Sequence, residues 1–371
     1  MPIFLYPLYN LFIWSICFLI AYNGIKYSRP KSRLLETQSD KKKRKWLFIF
    51  FILFSLFTFY SGDDERYAEF VTEGYKNLYS SMEQVYVLMA QLVSPHYLLW
   101  KAMIYIPALF FMYYALRKLE VESYITYMMF ILLLLYSFGA ARAVLPYFMF
   151  LFAIALREDK RTKYKFLAYI IAFSTIIFHS SMIVPVIFFI FSSVLSLSKT
   201  KVWFLILLLP FLIIGFNYLL DQLFELNLLV GTHAGDRLAS YTDDNRDEAV
   251  AHSMVSNFTT GINYFLIVLL EIYGLKAYFK KVLTPSQEKI VVISLLTLLF
   301  SVLVLLSNMY NSEIFASRYL SFIPFLTFVL AYPIIKYRIA PRWVRDMFFV
   351  LAFFKVNLTL IYRMYDLAVN M

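Results

Sequence analysis

Stretches of apolar residues recur along the whole chain and are separated by short polar segments. Most of these stretches approach the roughly 20 residues that a helix needs to cross a bilayer. They predict an all-α, polytopic membrane protein with a single membrane domain over residues 1–371. About twelve transmembrane helices are expected, at residues 3–22, 46–60, 97–116, 124–138, 139–156, 166–179, 182–197, 202–220, 258–279, 290–308, 319–335 and 343–362.

Two stretches have lengths that do not fit one span. Residues 82–93 are too few to cross, so we predict a short re-entrant or interfacial helix there. Residues 166–197 are too many for one span, and a single helix would place every later basic loop on the wrong side. We therefore predict a break at residues 179–181, followed by a helix with Pro185 in its first turn, where a missing N–H costs little.

Composition and charge support a membrane protein. The chain is 61% hydrophobic with a mean hydropathy of +0.67, and most of its Lys and Arg residues lie in the short segments between stretches. This pattern explains the net charge of +11 as a positive-inside signature and does not indicate nucleic acid binding. It places both termini outside, with two larger outer loops at about 61–96 and 221–257. The basic run 41–45 is expected to be a topology anchor, with anionic lipid binding as the alternative.

Several chemical motifs are missing from the sequence. It has no phosphate-binding loop, no HExxH motif, no Cys/His metal set and no GxSxG motif. The single cysteine, Cys17, excludes an intramolecular disulfide. We therefore predict neither a cofactor nor a metal.

Two ionisable residues stand where membrane proteins avoid them. Arg142 begins one predicted span and His179 ends the next, with the basic segment 157–165 between them. If that segment is cytoplasmic, both side chains reach the outer face, and so does Arg318 at the start of the run 319–335. Such groups cost roughly 2.5 to 3.5 kcal/mol near a bilayer centre and usually line cavities. Two arginines at the membrane boundary suit a lipid diphosphate, although each could also snorkel or pair with an acid.

Other candidate residues surround these three. His179 could relay a proton or hydrogen-bond a substrate, or it could simply end a helix. Asp63, Asp64 and Glu83 are candidates for a general base that takes a proton from a sugar hydroxyl, and a solvated acidic loop is the alternative. The candidate substrate contacts are Arg237, Tyr67, Tyr75, Tyr319 and Ser180.

The order of several short motifs is similar to one known family. Gly62-Asp63-Asp64-Glu65-Arg66-Tyr67 is followed by Ser81-Met82-Glu83-Gln84-Val85-Tyr86, by Ala140-Ala141-Arg142-Ala143, by Phe178-His179-Ser180-Ser181-Met182 and by Ser317-Arg318-Tyr319. In this order, and over about residues 1–340, the chain resembles the EpsG family of bacterial exopolysaccharide proteins, which are Wzy-like polysaccharide polymerases.

The resemblance implies glycosyl transfer at the outer face of the bacterial cytoplasmic membrane. Repeat units carried on undecaprenyl diphosphate would be joined, and Arg142 and Arg318 would bind the diphosphate. Expected partners are the lipid-linked oligosaccharide, membrane lipid, a chain-length regulator and other polysaccharide export proteins. A flippase for the same substrate is an alternative, although the unusual cations lie mostly at one face. A ligase or acyltransferase acting on the same carrier also stays open.

Overall fold

The computed structural model describes residues 5–28, 36–57, 62–72, 83–135, 141–225, 254–307 and 312–369. The regular elements in these ranges are all helices, which confirms the all-α prediction. They are α1 (Leu5–Ser28), α2 (Gln38–Phe57), α3 (Gly62–Thr72), α4 (Gln84–Val93), α5 (Tyr97–Lys118), α6 (Tyr124–Leu134), α7 (Ala141–Arg157), α8 (Thr162–Phe178), α9 (Ile183–Phe191), α10 (Lys199–Glu225), α11 (Met254–Phe279), α12 (Pro285–Leu305), α13 (Ser312–Thr327), α14 (Ala331–Lys336) and α15 (Arg342–Val369), with 3₁₀ turns at Ser180–Met182 and Phe328–Leu330.

Within the described ranges, six helical segments are long and apolar enough to cross a membrane, so the predicted count of twelve is not confirmed. These segments are Leu8–Ser28, Tyr97–Lys118, Lys199–Tyr218, Gly261–Phe279, Pro285–Leu305 and Ala316–Lys336. Helices α6 to α9 coincide with predicted spans but contain only 9 to 17 residues. Helices α2 and α15 are long enough but carry charged residues. The chain is an integral membrane protein whose shorter helices depend on their neighbours for burial.

The bundle has two chemically different ends. At one, which we call the basic end, Lys118 lies 2.6 Å from Asp159 and Arg44 lies 2.7 Å from Glu36. Thr284 and the side chain of Gln287 form a capping box at the start of α12 there, and Gln287 also donates to the carbonyl of Leu119. Ion pairs and hydrogen bonds thus join several of the loops that are predicted to be cytoplasmic.

Helix α7 runs through the middle of the bundle and connects the two ends. It packs mainly against α5 and α8, and nearly all of its side chains are buried. Arg142 is its second residue and Arg157 its last, whereas the sequence predicts a span at residues 139–156 with Arg157 in the following loop. The other end of the bundle, where α7 begins, is called the site end below.

The predicted break after α8 is confirmed. Helix α8 ends at Phe178, His179 has extended backbone angles, and a 3₁₀ turn leads into α9 with Pro185 in its first turn. The Arg157 guanidinium donates to the Phe189 carbonyl, so the last turn of α9 lies beside the last residue of α7. Helix α9 therefore returns from the site end toward the basic end.

Cations from neighbouring helices donate to the ends of α6 and α9. Helix α6 stops at Leu134, and Lys355 of α15 donates to the Leu133 carbonyl over 2.8 Å. At the end of α9, Arg157 donates to the Ser192 hydroxyl over 2.9 Å and Lys289 to the Ser192 carbonyl over 2.5 Å. The last carbonyls of a helix have no partner within it and favour positive charge. These cations therefore stabilise the ends of α6 and α9.

The run 319–335 differs from the single helix that the sequence predicts. Arg318 lies in the second turn of α13 and does not begin the helix. The run then changes to a 3₁₀ turn at Phe328–Leu330 before α14. Pro333 has no N–H, and its ring clashes with the carbonyl four residues earlier, at Val329. That clash explains the tighter turn at this point.

Candidate functional site

Arg142 is held by two side chains at the site end. Its Nε donates to the Tyr67 hydroxyl over 3.0 Å, and its NH1 lies 3.3 Å from Glu83 Oε2. The guanidinium carbon also lies 5.8 Å from the centre of the Tyr67 ring. Tyr67 packs in turn on Trp100 of α5, with ring centres 5.4 Å apart. These contacts fix the plane of the guanidinium while its side chain keeps 30% of its surface exposed.

A proline explains how the backbone at Arg142 is positioned. In an α-helix the Arg142 carbonyl would accept from the N–H of residue 146, but that residue is Pro146 and has no N–H. The hydroxyl of Tyr86, a fully buried residue of α4, donates to this carbonyl over 2.6 Å. Trp100 Nε1 donates to the Tyr86 carbonyl over 3.4 Å. Pro146 thus creates the acceptor by which α4 is fixed against the start of α7.

Glu83 connects the arginine with the histidine. It is the N-cap of α4, but its side chain does not cap the helix. One carboxylate oxygen contacts Arg142, and the other lies 3.6 Å from His179 Nδ1, within ion-pair range and beyond hydrogen-bond range. Burial alone would raise the pKa of Glu83, but the neighbouring His179 and Arg142 outweigh it and lower the pKa to about 2. Glu83 is therefore a fixed negative charge at neutral pH.

His179 is nearly buried between this carboxylate and an aromatic wall. Its Nδ1 makes no hydrogen bond with any described residue. Its ring meets Tyr147 of α7 edge to face, with ring centres 5.9 Å apart. Tyr147 packs in the same manner on Phe322 and Phe325 of α13, at 4.9 Å each. The imidazole is held in place by packing, and a small shift would bring Nδ1 into hydrogen-bond distance of Glu83.

Arg318 reaches the same region from α13. It lies close enough to both His179 and Tyr147 to interact with them electrostatically. Its neighbour Tyr319 is buried, and the ring packs edge to face on Phe300 of α12 at 5.1 Å. The structure therefore brings Arg318 to the site and places the Tyr319 ring in the interface between two helices.

The structure describes some of the remaining predicted site residues and not others. Ser180 is exposed and directly follows His179 in the 3₁₀ turn. Asp63 and Asp64 lie in the first turn of α3, and their side chains lie outside the described part of the structure. Tyr75 and Arg237 lie outside the described residues altogether. The structure thus brings together five of the predicted residues, namely Arg142, Tyr67, Glu83, His179 and Arg318.

Sequence reasoning missed several residues that build this site. Tyr86, Tyr147 and Trp100 carry its geometry, but the chain has 30 tyrosines, and only the spacing of Pro146 from Arg142 marks one of these contacts. Lys101, also buried, follows Trp100 and lies 5.7 Å from the centre of the Tyr97 ring. In the described part of the chain, no group of three His, Cys, Asp or Glu side chains could hold a metal ion.

Comparison with protein families gives one result that covers nearly the whole chain. The model of the EpsG family matches residues 40–370. The chain belongs to the EpsG family. This family consists of Wzy-like polysaccharide polymerases of exopolysaccharide synthesis. Comparisons with curated proteins and with solved structures give no match.

In this EpsG-family protein, the matched range includes every residue of the cluster. Tyr67, Glu83, Arg142, His179 and Arg318 come from five separate elements spread over 252 positions of sequence, 67 to 318 inclusive. The resemblance deduced from the order of short motifs is therefore confirmed, and the fold explains that order. The motifs lie far apart in the chain, and the fold brings these five residues close together.

Proposed function

We propose that the protein polymerises oligosaccharide repeat units carried on undecaprenyl diphosphate, at the outer face of the bacterial cytoplasmic membrane. The observation that carries this proposal is the placement of Arg142 between Tyr67 and Glu83, with His179 and Arg318 beside them. A lipid diphosphate brings its negative charge to the membrane boundary, and this cluster presents two permanent cations there. The twelve-span topology, with the basic end in the cytoplasm, is part of the proposal.

The reaction needs charge stabilisation and one proton acceptor. A hydroxyl oxygen of the acceptor sugar attacks the anomeric carbon of the donor, and the bond from that carbon to the diphosphate oxygen breaks. The diphosphate leaves with the electron pair, and Arg142 and Arg318 bind its developing charge. Neither step requires a nucleotide or a metal.

His179 is the proton acceptor that suits this geometry best. A carboxylate whose pKa is about 2 is a weak base, so Glu83 serves better as a fixed charge. As His179 takes the proton of the acceptor hydroxyl, the imidazolium forms 3.6 Å from Glu83 and is stabilised by it. Asp63 and Asp64 stay candidates for binding the acceptor sugar or for an alternative base. Tyr75, Arg237, Ser180 and Tyr319 stay candidates for substrate contacts.

A flippase is the competing function from another class. A flippase needs charge along a path that reaches both ends of the bundle. Among the described residues of the basic end, Lys118, Arg44 and Arg161 each lie within ion-pair distance of a carboxylate. In the described part of the structure, the cluster of Arg142, Glu83, His179 and Arg318 lies at one end of the bundle only, which favours the enzyme. A ligase or acyltransferase on the same carrier would use the same cluster, and it differs only in the acceptor.

The test is to give the purified full-length protein its lipid-linked repeat unit in detergent. A polymerase produces a ladder of products that differ by one repeat unit, and it releases one undecaprenyl diphosphate per bond formed. A ligase would add a single unit to a different acceptor. If competent substrate yields no ladder, while vesicles with the same protein move it across the bilayer, the flippase replaces the polymerase.

A further inference from the structure

A cavity lies at the basic end, away from the cluster around Arg142. It has a volume of about 210 Å³ and opens between the last turn of α1 and the first turns of α2. Its lining is almost entirely polar side chains with two cations, namely Asn23, Lys26, Tyr27, Thr37, Ser39, Asp40 and Lys43. It therefore offers amines, hydroxyls and an amide within one small volume.

The acidic group of this cavity has hydrogen-bond donors, whereas its two lysines have no carboxylate partner among the described residues. The Asp40 carboxylate is buried and accepts from the Thr37 backbone at 3.0 Å and from the Thr37 hydroxyl at 2.7 Å. Lys26 and Lys43 are exposed, and no carboxylate of a described residue lies within ion-pair distance of either. Lys43 instead lies 5.8 Å from the centre of the Tyr124 ring. Other cations of the basic end, such as Lys118, do have carboxylate partners. The accessible charge of the cavity is thus positive.

An exposed row of aromatic rings leads from this cavity along α1. Trp14, Phe18 and Tyr22 follow one another at intervals of four residues, and Lys26 is the next position in the same series. Their rings stack in sequence, with centres 5.4 Å and 6.5 Å apart. The three side chains are 40%, 45% and 58% exposed, so they form an apolar surface on a membrane-spanning helix. Phe18 lies about 12 Å from Lys26 along the helix, a span suited to part of an acyl chain.

We propose that this cavity and the aromatic row together form a binding site for an anionic phospholipid. The lipid phosphate lies between Lys26 and Lys43, headgroup hydroxyls meet Ser39 and Tyr27, and an acyl chain lies along Tyr22, Phe18 and Trp14. A zwitterionic lipid brings its own cation to the cavity and binds less tightly. The cavity, which would hold the headgroup, is continuous with the aromatic row, which would hold an acyl chain. A soluble anion would need the cavity alone.

The experiment uses native mass spectrometry of the full-length protein with equal amounts of phosphatidylglycerol and phosphatidylcholine. The unmodified protein should retain phosphatidylglycerol preferentially. In the variant Lys26→Gln/Lys43→Gln we expect that preference to fall by about 5-fold per lysine, the usual contribution of a basic residue near an anionic surface. The matched control Lys163→Gln/Lys165→Gln removes the same charge from exposed positions of α8 and should keep the preference.

Three results would overturn the site. These are an unchanged preference in the Lys26→Gln/Lys43→Gln variant, an equal loss in the control, and displacement of the lipid by equimolar glycerophosphoglycerol or inorganic phosphate. The last result would assign the cavity to a soluble anion. The variant Lys26→Arg/Lys43→Arg should retain the lipid, which separates the role of charge from any effect on folding. Phe18→Ala/Tyr22→Ala should weaken binding of phosphatidylglycerol and leave binding of glycerophosphoglycerol unchanged.

Discussion

At the scale of single residues, the contact between Tyr86 and Arg142 shows how one missing N–H organises a site. Pro146 cannot donate to the Arg142 carbonyl, and the Tyr86 hydroxyl donates to it instead. A buried carbonyl that loses its donor destabilises a protein by about 1 to 3 kcal/mol. The position of the Arg142 backbone therefore depends on a residue 56 positions earlier.

This dependence predicts a particular outcome for a double-mutant cycle. Tyr86→Phe should lower the free energy of unfolding by about 1 to 3 kcal/mol, because it removes the hydroxyl that donates to the Arg142 carbonyl. Pro146→Ala restores a backbone N–H to that carbonyl, so Tyr86→Phe should cost much less in the Pro146→Ala background. Thermal unfolding of the four proteins in one detergent measures this coupling. Equal costs in both backgrounds would mean that the proline does not create the need for Tyr86.

Glu83 predicts a dependence of stability on pH. The pKa of its carboxyl in the folded protein is lowered from an ordinary 4.5 to about 2. The charged form is therefore favoured by folding, and this stabilisation is complete above pH 4.5 and is lost as the pH falls toward 2. Unfolding of the unmodified protein should become easier across that range. Glu83→Gln should remove this part of the dependence, and parallel curves for the two proteins would count against the ion pairs.

At the scale of elements, the short helices α6 and α9 depend on cations that other helices supply. Lys355 donates to the last turn of α6, and Arg157 and Lys289 donate to the end of α9. Lys355→Met should destabilise the protein by about 1 to 3 kcal/mol, because it leaves the Leu133 carbonyl without its donor. Lys355→Arg should retain most of the stability, and Lys163→Met, at an exposed position, is the control. A Lys355→Met protein as stable as the control would show that the cap is dispensable.

The sequence predicts helix boundaries correctly where length or charge alone sets them. It does not predict the boundaries that depend on packing between helices. Length and charge parity predict the break at His179, and the edge of an apolar run predicts that Arg142 lies near the start of α7. The acidic residues of α3 predict a loop, although Tyr67, Phe70 and Val71 are buried on one face of this helix. The apolar run predicts a helix that begins at Arg318, but α13 starts six residues earlier, at Ser312.

The candidate site likewise contains residues that the sequence predicts and residues that only the packing of the helices places there. Arg142, His179 and Glu83 could be predicted because each is an ionisable residue next to an apolar run. Tyr86 and Tyr147 could not, since aromatic residues are abundant at every helix end and nothing local distinguishes the ones that touch the cluster. Their role comes from the packing of α4 and α13 against α7, which arises only in the folded bundle.

At the scale of the whole molecule, the two ends of the bundle should face opposite sides of the membrane. In a Cys17→Ser background, which removes the buried native thiol, cysteines can be introduced at Ser39 and Ser240. An impermeant thiol reagent applied to intact cells should label the cysteine at position 240 and not the one at position 39. After the cells are permeabilised, both should react. Labelling of position 39 in intact cells would reverse the orientation and place the arginine cluster in the cytoplasm.

The most direct measurement of the central claim is the rate of ladder formation by Arg142→Lys with purified lipid-linked repeat unit. Lysine keeps the charge but not the planar donor set that meets Tyr67, Glu83 and a diphosphate together. We expect the rate to fall by about 10² to 10³-fold, with single units left on the lipid. Arg161→Lys, an exposed arginine at the basic end, should retain the normal rate. A normal ladder from Arg142→Lys would contradict the assignment of this cluster as the polymerisation site.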